Sequence, residues 1–170
     1  MMVLETERLL LREMGLQNID ALLATFADAE AMRFYPKPFD REMMKAWVEW
    51  NMQGYADRGF GLWAIVLKKN GEVIGDCGLV VQQIEGVDEV EIGYHVRRDL
   101  WGQGFATEAA QACREYGFHQ LGRDRLISLI HPENLASRRV AEKNGMVLVK
   151  EFTWRDKPTC LYAIERNPNE

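Results

Sequence analysis

The chain divides into segments whose apolar residues recur at either helical or strand spacing. Two early segments, residues 18–32 and the stretch from Asp40 to near Gly59, repeat apolar residues every three or four positions and predict amphipathic helices. Asp40 is a good N-cap for the second of these helices. The short apolar run 6–12, which lies between charged residues, predicts a strand.

Beyond Gly59 the pattern changes to the alternation and short apolar runs typical of strands. Residues 62–68 and 72–81 predict two strands joined by a hairpin turn at Asn70-Gly71, and a looser polar link at 85–88 leads to a third strand, 90–96. The remaining segments predict a helix, a buried strand, a helix stopped by Asn144-Gly145 and two closing strands: 105–121, 126–130, 132–145, 146–152 and 159–164.

This order of elements predicts a mixed α/β (α+β) fold. We expect one central, mostly antiparallel sheet of about seven strands, flanked by about four helices. With 170 residues the chain is long enough to bury a core and too short for two domains, so residues 1–170 are expected to form a single domain.

Composition excludes some classes of protein but does not by itself indicate a function. The formal net charge of −5 argues against a general nucleic-acid binder, which is usually basic. No apolar stretch approaches the roughly 20 residues that span a bilayer, and no signal peptide is evident, so we expect a cytoplasmic protein without a membrane partner. The three cysteines are odd in number and lie in apolar surroundings, which favours buried thiols over disulfides.

The segment richest in chemistry is a strand that runs through a glycine-containing loop into a helix, residues 91–108. The first amides of a helix lack partners within the helix and attract anions. Gly102 and Gly104 remove side chains that would keep a phosphate from these amides, and Arg97 and Arg98 add positive charge. Residues 97–106 therefore predict a cradle for a diphosphate.

Two other phosphate-binding motifs fit this loop poorly. A P-loop requires a lysine after its last glycine, and this loop has none. A dinucleotide-binding motif requires Gly or Ala where this chain has Thr107, and an acid after the next strand, whereas Asp124 precedes that strand. For the loop taken alone, a tight strand-to-helix turn that binds nothing remains open as an alternative.

Several segments together resemble a known family. Residues 98–109, Arg-Asp-Leu-Trp-Gly-Gln-Gly-Phe-Ala-Thr-Glu-Ala, resemble the coenzyme A-binding motif of the GNAT family of N-acetyltransferases, and residues 132–145 resemble its second signature. The opening segment 6–12 is similar to the branch that acetylates ribosomal-protein N-termini, the RimJ/RimL type. The family pattern often has Gln or Arg where this chain has Asp99, so we expect backbone amides, rather than that side chain, to contact the pyrophosphate.

The resemblance implies acetyl-CoA as co-substrate, no metal, and direct acetyl transfer to a primary amine, first of all a protein N-terminal α-amine. A small-molecule amine acceptor and a non-catalytic coenzyme A sensor remain alternatives, and the protein is expected to be a monomer or homodimer. Strands 90–96 and 126–130 would splay apart to hold the pantetheine arm. The resemblance places these residues at the cofactor: Ile92, Tyr94, Val96, Arg97, Arg98, Leu100, Trp101, Gly102, Gln103, Gly104, Phe105, Ala106, Thr107, Asn134, Ser137 and Arg139.

The acceptor determines how much help proton removal needs. At pH 7 neutralising a lysine side chain costs roughly 4–5 kcal/mol, whereas an α-amine requires only about 1–1.5 kcal/mol. Glu91 is the first candidate base and His131 the second, although both also suit ordinary surface positions. By resemblance Ser137 would hydrogen-bond or protonate the leaving sulfur, although serine is also common in the first turn of a helix. The loop at 34–39 would shape the acceptor pocket.

Overall fold

The computed structural model describes residues 1–168, in which eight strands and four α-helices alternate in the predicted order. The strands are β1 (Met2–Glu5), β2 (Leu9–Arg12), β3 (Leu62–Leu67), β4 (Val73–Ile84), β5 (Val87–Val96), β6 (Arg125–Ile130), β7 (Val147–Trp154) and β8 (Lys157–Glu165). The helices are α1 (Ile19–Phe26), α2 (Arg41–Arg58), α3 (Phe105–His119) and α4 (Leu135–Lys143).

All eight strands form one sheet in the order β1-β2-β3-β4-β5-β6-β8-β7. Every neighbouring pair is antiparallel except β5 and β6, which are parallel and share one Cα pair, Glu91 with Ile127. The predicted mixed, mostly antiparallel sheet is therefore confirmed. It has eight strands rather than about seven because the opening of the chain folds into a hairpin, with β1 pairing with β2.

Alternation along β3 explains the two hydrophobic layers. Trp63 and Ile65 face the layer covered by α3, where Ala109 and Cys113 are fully buried. The alternate residues of the strand, such as Ala64, face the layer covered by α1 and α2. Both faces of the sheet are thus covered, and this fixes where the helices can present side chains to its edge.

Two predicted boundaries are wrong, each for a local reason. Helix α1 ends at Phe26 rather than near residue 32, because the Asp28 side chain accepts hydrogen bonds from the amides of Glu30 and Ala31 at 2.9 Å and closes a turn. The expected loose link at 85–88 is a tight turn instead. Glu85 and Gly86 both have positive φ, 51° and 83°, so β4 and β5 form one long hairpin.

Other predicted details are confirmed. Asp40 caps α2 by accepting a hydrogen bond from the amide of Met43 at 2.8 Å, and Gly59 ends that helix at φ 78°. Gly145 follows α4 at φ 82°. The three cysteines are buried and free. Within residues 1–168 no helix is long and apolar enough to span a bilayer.

Candidate active site

The candidate site is the cleft that opens where β5 and β6 diverge. Beyond the pair of Glu91 and Ile127, the two strands separate around a cavity of about 1460 Å³, which is also lined by the starts of α3 and α4, by residues 30–35 and by Phe39. Buried Ser128 on β6 donates to the Ile92 carbonyl at 2.8 Å. A side chain thus replaces part of the missing backbone pairing.

The open edge of β5 faces this cleft. The Val96 carbonyl accepts a hydrogen bond from Trp101 Nε1 at 2.7 Å, and the Ile92 carbonyl accepts the bond from Ser128. Because the N–H and C=O of one strand residue point to the same edge, Tyr94 between them directs its backbone groups there as well. Because the Ile92 and Val96 carbonyls are already engaged, the backbone groups of Tyr94 and the Val96 amide are the contacts that this edge offers to an extended ligand.

The loop before α3 has the backbone of an anion cradle. Gly102 and Gly104 have φ of 76° and 82°, a conformation that side chains other than glycine rarely adopt. The first helical bond runs from the amide of Glu108 to the carbonyl of Gly104 at 3.0 Å. The amides of residues 105–107 therefore have no partner within the helix and can bind a phosphate.

The arginines beside the loop are already paired. Arg97 donates to Asp99 at 2.7 and 3.2 Å, and Arg98 donates to Asp28 at 2.9 Å. The hydrogen bonds from Arg97 lower the pKa of Asp99, whose carboxylate is thus directed to a cation instead of the cradle. This pairing agrees with the expectation that backbone amides, rather than the side chain at position 99, meet the pyrophosphate.

Glu108 braces the loop from behind. Its carboxylate accepts hydrogen bonds from Thr6 Oγ1 (2.6 Å), from the Arg8 amide (2.8 Å) and from Arg8 Nε (2.6 Å). Arg8 Nη1 in turn donates to the carbonyl of Gln103 at 2.9 Å. Partial burial would raise the pKa of Glu108, but these hydrogen bonds outweigh it and hold the pKa below its ordinary value.

The start of α4 forms the opposite wall of the cleft. Asn134 caps the helix, with its side-chain oxygen accepting from the Ser137 amide at 3.2 Å. The Tyr94 hydroxyl donates to the Ser137 carbonyl at 2.7 Å and so ties β5 to α4. Burial raises the pKa of Tyr94 above its ordinary value, so the hydroxyl stays protonated. The neighbouring Arg138 is bound to the Tyr162 hydroxyl at 2.8 Å.

The candidate base Glu91 lies on the opposite face of β5 from Tyr94. Its carboxylate accepts a hydrogen bond from Gln82 Nε2 at 2.8 Å. Burial raises the pKa of Glu91, although the bond from Gln82 acts in the other direction. A carboxyl group with a raised pKa is a better proton acceptor than an exposed one when it is ionised.

His131 is placed less favourably for base catalysis. Its ring stacks on Phe34, with centroids 4.8 Å apart, and its Nδ1 accepts a hydrogen bond from the Glu133 amide at 3.1 Å. The neutral ring must therefore carry its proton on Nε2, and the lone pair that a base would use is already engaged. His131 thus contacts Phe34 at the cleft, and its role as a base stays a prediction.

A chain of polar side chains that the sequence did not reveal runs into the same cleft. Tyr35 Oη lies 2.5 Å from His95 Nε2, His95 Nδ1 lies 2.8 Å from Asp76 Oδ1, and Trp47 Nε1 donates to Asp76 Oδ2 at 2.9 Å. The one available signal was strand register, because Asp76 and His95 face each other across the β4–β5 hairpin.

Residues 8–147 match the family model described as an acetyltransferase (GNAT) domain. The chain belongs to the GNAT family of acetyltransferases. YkkB, an uncharacterized protein of Bacillus subtilis (strain 168), is 40% identical to it over 160 residues, which cover 94% of this chain and 93% of YkkB.

Solved structures of GNAT proteins have the same fold. A GNAT acetyltransferase from Bacillus anthracis superposes with a TM-score of 0.82 and 28% identity, covering 97% of this chain and 98% of that one. RimL, a ribosomal L7/L12 alpha-N-protein acetyltransferase in complex with coenzyme A, gives a TM-score of 0.79 at 19% identity, over 97% of this chain and 98% of RimL. The predicted family is confirmed.

As a GNAT acetyltransferase the chain uses acetyl-CoA as its acyl donor. The cleft fits such a molecule, because its glycine loop offers free helix amides and its open strand edge offers backbone partners. Of the sixteen residues predicted at the cofactor, Arg97, Arg98 and Gln103 are not among the residues lining the cleft. The other thirteen line it, as do Glu91 and His131: Ile92, Tyr94, Val96, Leu100, Trp101, Gly102, Gly104, Phe105, Ala106, Thr107, Asn134, Ser137 and Arg139.

Proposed function

We propose that this acetyltransferase transfers the acetyl group to a primary amine, with a protein N-terminal α-amine as its acceptor. The observation that supports the proposal is the division of the cleft. One side carries the glycine loop and the start of α4, and the other carries Glu91, His95 and the aromatic residues at 34–39. The two sides meet where β5 leaves β6, so that donor and acceptor can approach from opposite directions.

The acceptor side has room for a chain that extends beyond the amine. A second cavity of about 330 Å³ shares Phe34, Tyr35 and His131 with the main cleft. A polypeptide N-terminus could thus place its amine between the strands and its following residues in the second cavity. The resemblance of the opening segment to the ribosomal-protein branch favours the same acceptor class.

Proton chemistry is also compatible with an α-amine. The acceptor must be neutral to attack, and an α-amine requires only about 1–1.5 kcal/mol for this at pH 7. A single buried carboxylate or imidazole can provide that assistance. A lysine acceptor would require roughly 4–5 kcal/mol and hence a stronger base.

The proposed roles of the cofactor-side residues follow from their contacts. The amides at the start of α3 would hold the pyrophosphate of acetyl-CoA, while the open edge of β5 and Asn134 would hold its pantetheine arm. Acetyl-CoA supplies the reactive thioester. Tyr94 fixes the start of α4 and therefore the position of Ser137, which we propose as the group that hydrogen-bonds the leaving sulfur. A backbone N–H on the open edge of β5 would stabilise the oxyanion.

Coenzyme A release measured with a thiol reagent tests the function directly. The panel should contain N-terminal peptides, lysine peptides and small amines, each at the same concentration. We expect turnover with α-amines to exceed that with lysine side chains. If small amines are turned over faster than peptides, the proposed acceptor class is wrong, whereas the proposed acetyltransferase activity stands.

A binding measurement separates the enzyme from the sensor alternative. Coenzyme A should raise the melting temperature, because it binds the folded chain. No shift would refute the assignment of the cleft. A clear shift with no turnover of any amine, together with a biological effect that survives Glu91→Gln and Ser137→Ala, would favour the sensor.

A further inference from the structure

The side chains of Tyr35, His95, Asp76 and Trp47 form one continuous hydrogen-bonded chain that begins in the acceptor side of the cleft. The three contacts measure 2.5, 2.8 and 2.9 Å, which are all hydrogen-bonding distances. They join four separate parts of the chain: the connection between α1 and α2, β5, β4 and α2.

Solvent exposure falls along this series of hydrogen-bonded side chains, from Tyr35 to Asp76. Tyr35 is 40% exposed, so a ligand in the cleft can reach it, whereas the His95 side chain is 12% exposed and that of Asp76 is inaccessible. The His95 ring is also enclosed by aromatic rings, with centroid distances of 4.6 Å to Phe26 and 6.1 Å to Trp47. Electrostatic interactions along the chain are therefore little screened by water.

The hydrogen-bond roles follow from the acceptor at the buried end. Asp76 receives the Trp47 indole N–H on one carboxylate oxygen, and as a carboxylate it can only accept on the other. His95 Nδ1 must therefore carry the proton, which leaves Nε2 to accept from the Tyr35 hydroxyl. This is the tautomer that a histidine needs to take up a proton through its exposed neighbour.

We propose that Tyr35 and His95 remove the proton from the acceptor amine, with Asp76 as the positioning residue; the inference rests on the proposed amine acetylation. First the ammonium proton passes to Tyr35 Oη while the hydroxyl proton of Tyr35 passes to His95 Nε2, which leaves a neutral amine. The amine nitrogen then bonds to the acetyl carbon, the carbon–sulfur bond breaks, and the second nitrogen proton goes to the sulfur, which leaves as the thiol. The imidazolium returns its proton through Tyr35 to water after the product leaves.

Glu91 and His95 lie four residues apart on the same face of β5, so both side chains point toward the acceptor side of the cleft. The titratable groups that face His95 are Asp76 from β4, Tyr35 from the connection and Glu91 from its own strand. Helices α1 and α2 present Phe26 and Trp47, which do not titrate in the ordinary range. A histidine-dependent pH profile would thus be distinguishable from one that depends on Glu91.

Acceptor basicity provides the sharpest test. Tyr35→Phe, His95→Gln and Asp76→Asn should each be assayed with peptides and small amines of graded pKa. We expect Tyr35→Phe and His95→Gln to lower kcat by about 100-fold for the most basic acceptors, with an unchanged KM for acetyl-CoA. The defect should shrink as the acceptor pKa falls below 7, because such amines are already neutral.

The matched control is His119→Gln, which alters an exposed histidine at the end of α3, paired only with Glu115 in the described contacts. It should leave kcat and the pH profile unchanged. In the wild type and in Glu91→Gln, kcat for basic acceptors should rise with pH, and this rise should change its position in His95→Gln. Tyr35→Phe removes one hydroxyl at the solvent-exposed end of the hydrogen-bonded series. It therefore tests the proposal even if Asp76→Asn fails to fold.

Two outcomes would overturn the proposed relay, in which Tyr35 and His95 carry the proton away from the amine. One is a kcat for Tyr35→Phe within twofold of wild type with basic acceptors. The other is a defect that has the same size for acceptors of every pKa, which would indicate a structural role. Either result would leave the proposed function intact, provided that the wild type acetylates the amine. A wild type without amine turnover would refute the function and the relay together.

Discussion

Arg98 Nε donates a hydrogen bond to Asp28 Oδ2 at 2.9 Å, and this contact joins the two substrate sides of the cleft. Arg98 begins the glycine-loop region on the cofactor side. Asp28 begins the connection that carries Tyr35, and its other oxygen closes the turn at Glu30 and Ala31. The position of the acceptor pocket is therefore linked to that of the cofactor loop through one ion pair.

Asp28→Asn should affect the acceptor more than acetyl-CoA. Asparagine can still close the turn through its side-chain oxygen but loses the charge that holds Arg98. We expect the acceptor KM to rise about threefold, while acetyl-CoA affinity is unchanged or slightly improved by the released cation. Steady-state kinetics with both substrates varied would measure this. Glu30→Gln, which breaks a pair with Arg33 on the same connection, is the control and should change neither constant.

Gly104→Val should abolish the cradle. A side chain at φ 82° strains the backbone by about 1–2 kcal/mol, and its Cβ would lie 3.4 Å from Arg8 Nη2, so both the loop conformation and its brace are disturbed. We expect the dissociation constant for acetyl-CoA to rise by at least about tenfold, measured by calorimetry. Gly122→Val imposes a similar strain at φ 61°, with open space around the new atoms, and should destabilise the protein without altering affinity. Equal affinities in the two variants would show that the cradle lies elsewhere.

Glu108→Gln should lower stability in a pH-dependent way. Because the folded pKa of Glu108 is below its ordinary value, its contribution is present above the unfolded pKa and is lost as pH falls through the folded pKa. We expect the free energy of unfolding to fall by about 1–2 kcal/mol at pH 7, and the difference from wild type to narrow in acid. Urea titrations across pH would show both. Glu115→Gln, on the exposed side of α3, should have little effect at either pH.

Glu91→Gln should change stability in the opposite direction from Glu108→Gln, so that the variant is more stable than wild type at high pH. Burial raises the folded pKa of Glu91, so the protonated form is stable in the fold and stability is lost as pH rises through that pKa. The uncharged variant should therefore melt about 2–4 °C higher than wild type near pH 8 and similarly to wild type near pH 4. Its kcat should nevertheless fall if Glu91 orders the amine or a water. Glu89→Gln breaks the surface pair with Arg125 and should give no stabilisation.

The sequence predicted the features that depend on local pattern. The strand-to-loop-to-helix segment, the N-cap at Asp40 and the helix stop at Gly145 follow from residue type and spacing, and they are present. The end of α1 was missed because apolar spacing continues past Phe26, while the Asp28 side chain competes for the backbone amides. Local hydrogen bonding of this kind outweighs periodicity over a single turn.

Contacts between distant segments were beyond sequence patterns. The pairing of Asp76 with His95 requires the exact register of the β4–β5 hairpin, which the expected loose link at 85–88 obscured. The approach of Tyr35 to His95 depends on the path of residues 27–40, which have no regular spacing. The stacking of His131 on Phe34 was beyond sequence patterns for the same reason, because neighbouring residues do not encode it.

The single backbone pair of Glu91 and Ile127 has a mechanical consequence. Within the described residues, β6, β8 and β7 form a lobe whose backbone pairing with the five preceding strands is limited to that pair, and side-chain contacts such as Ser128–Ile92 and Arg125–Glu89 add to it. A small rocking of the lobe about this pivot breaks no other strand pairing. We therefore expect the width of the gap between the lobes to change more easily than the shape of either lobe, which would let the cleft adapt to acceptors of different bulk.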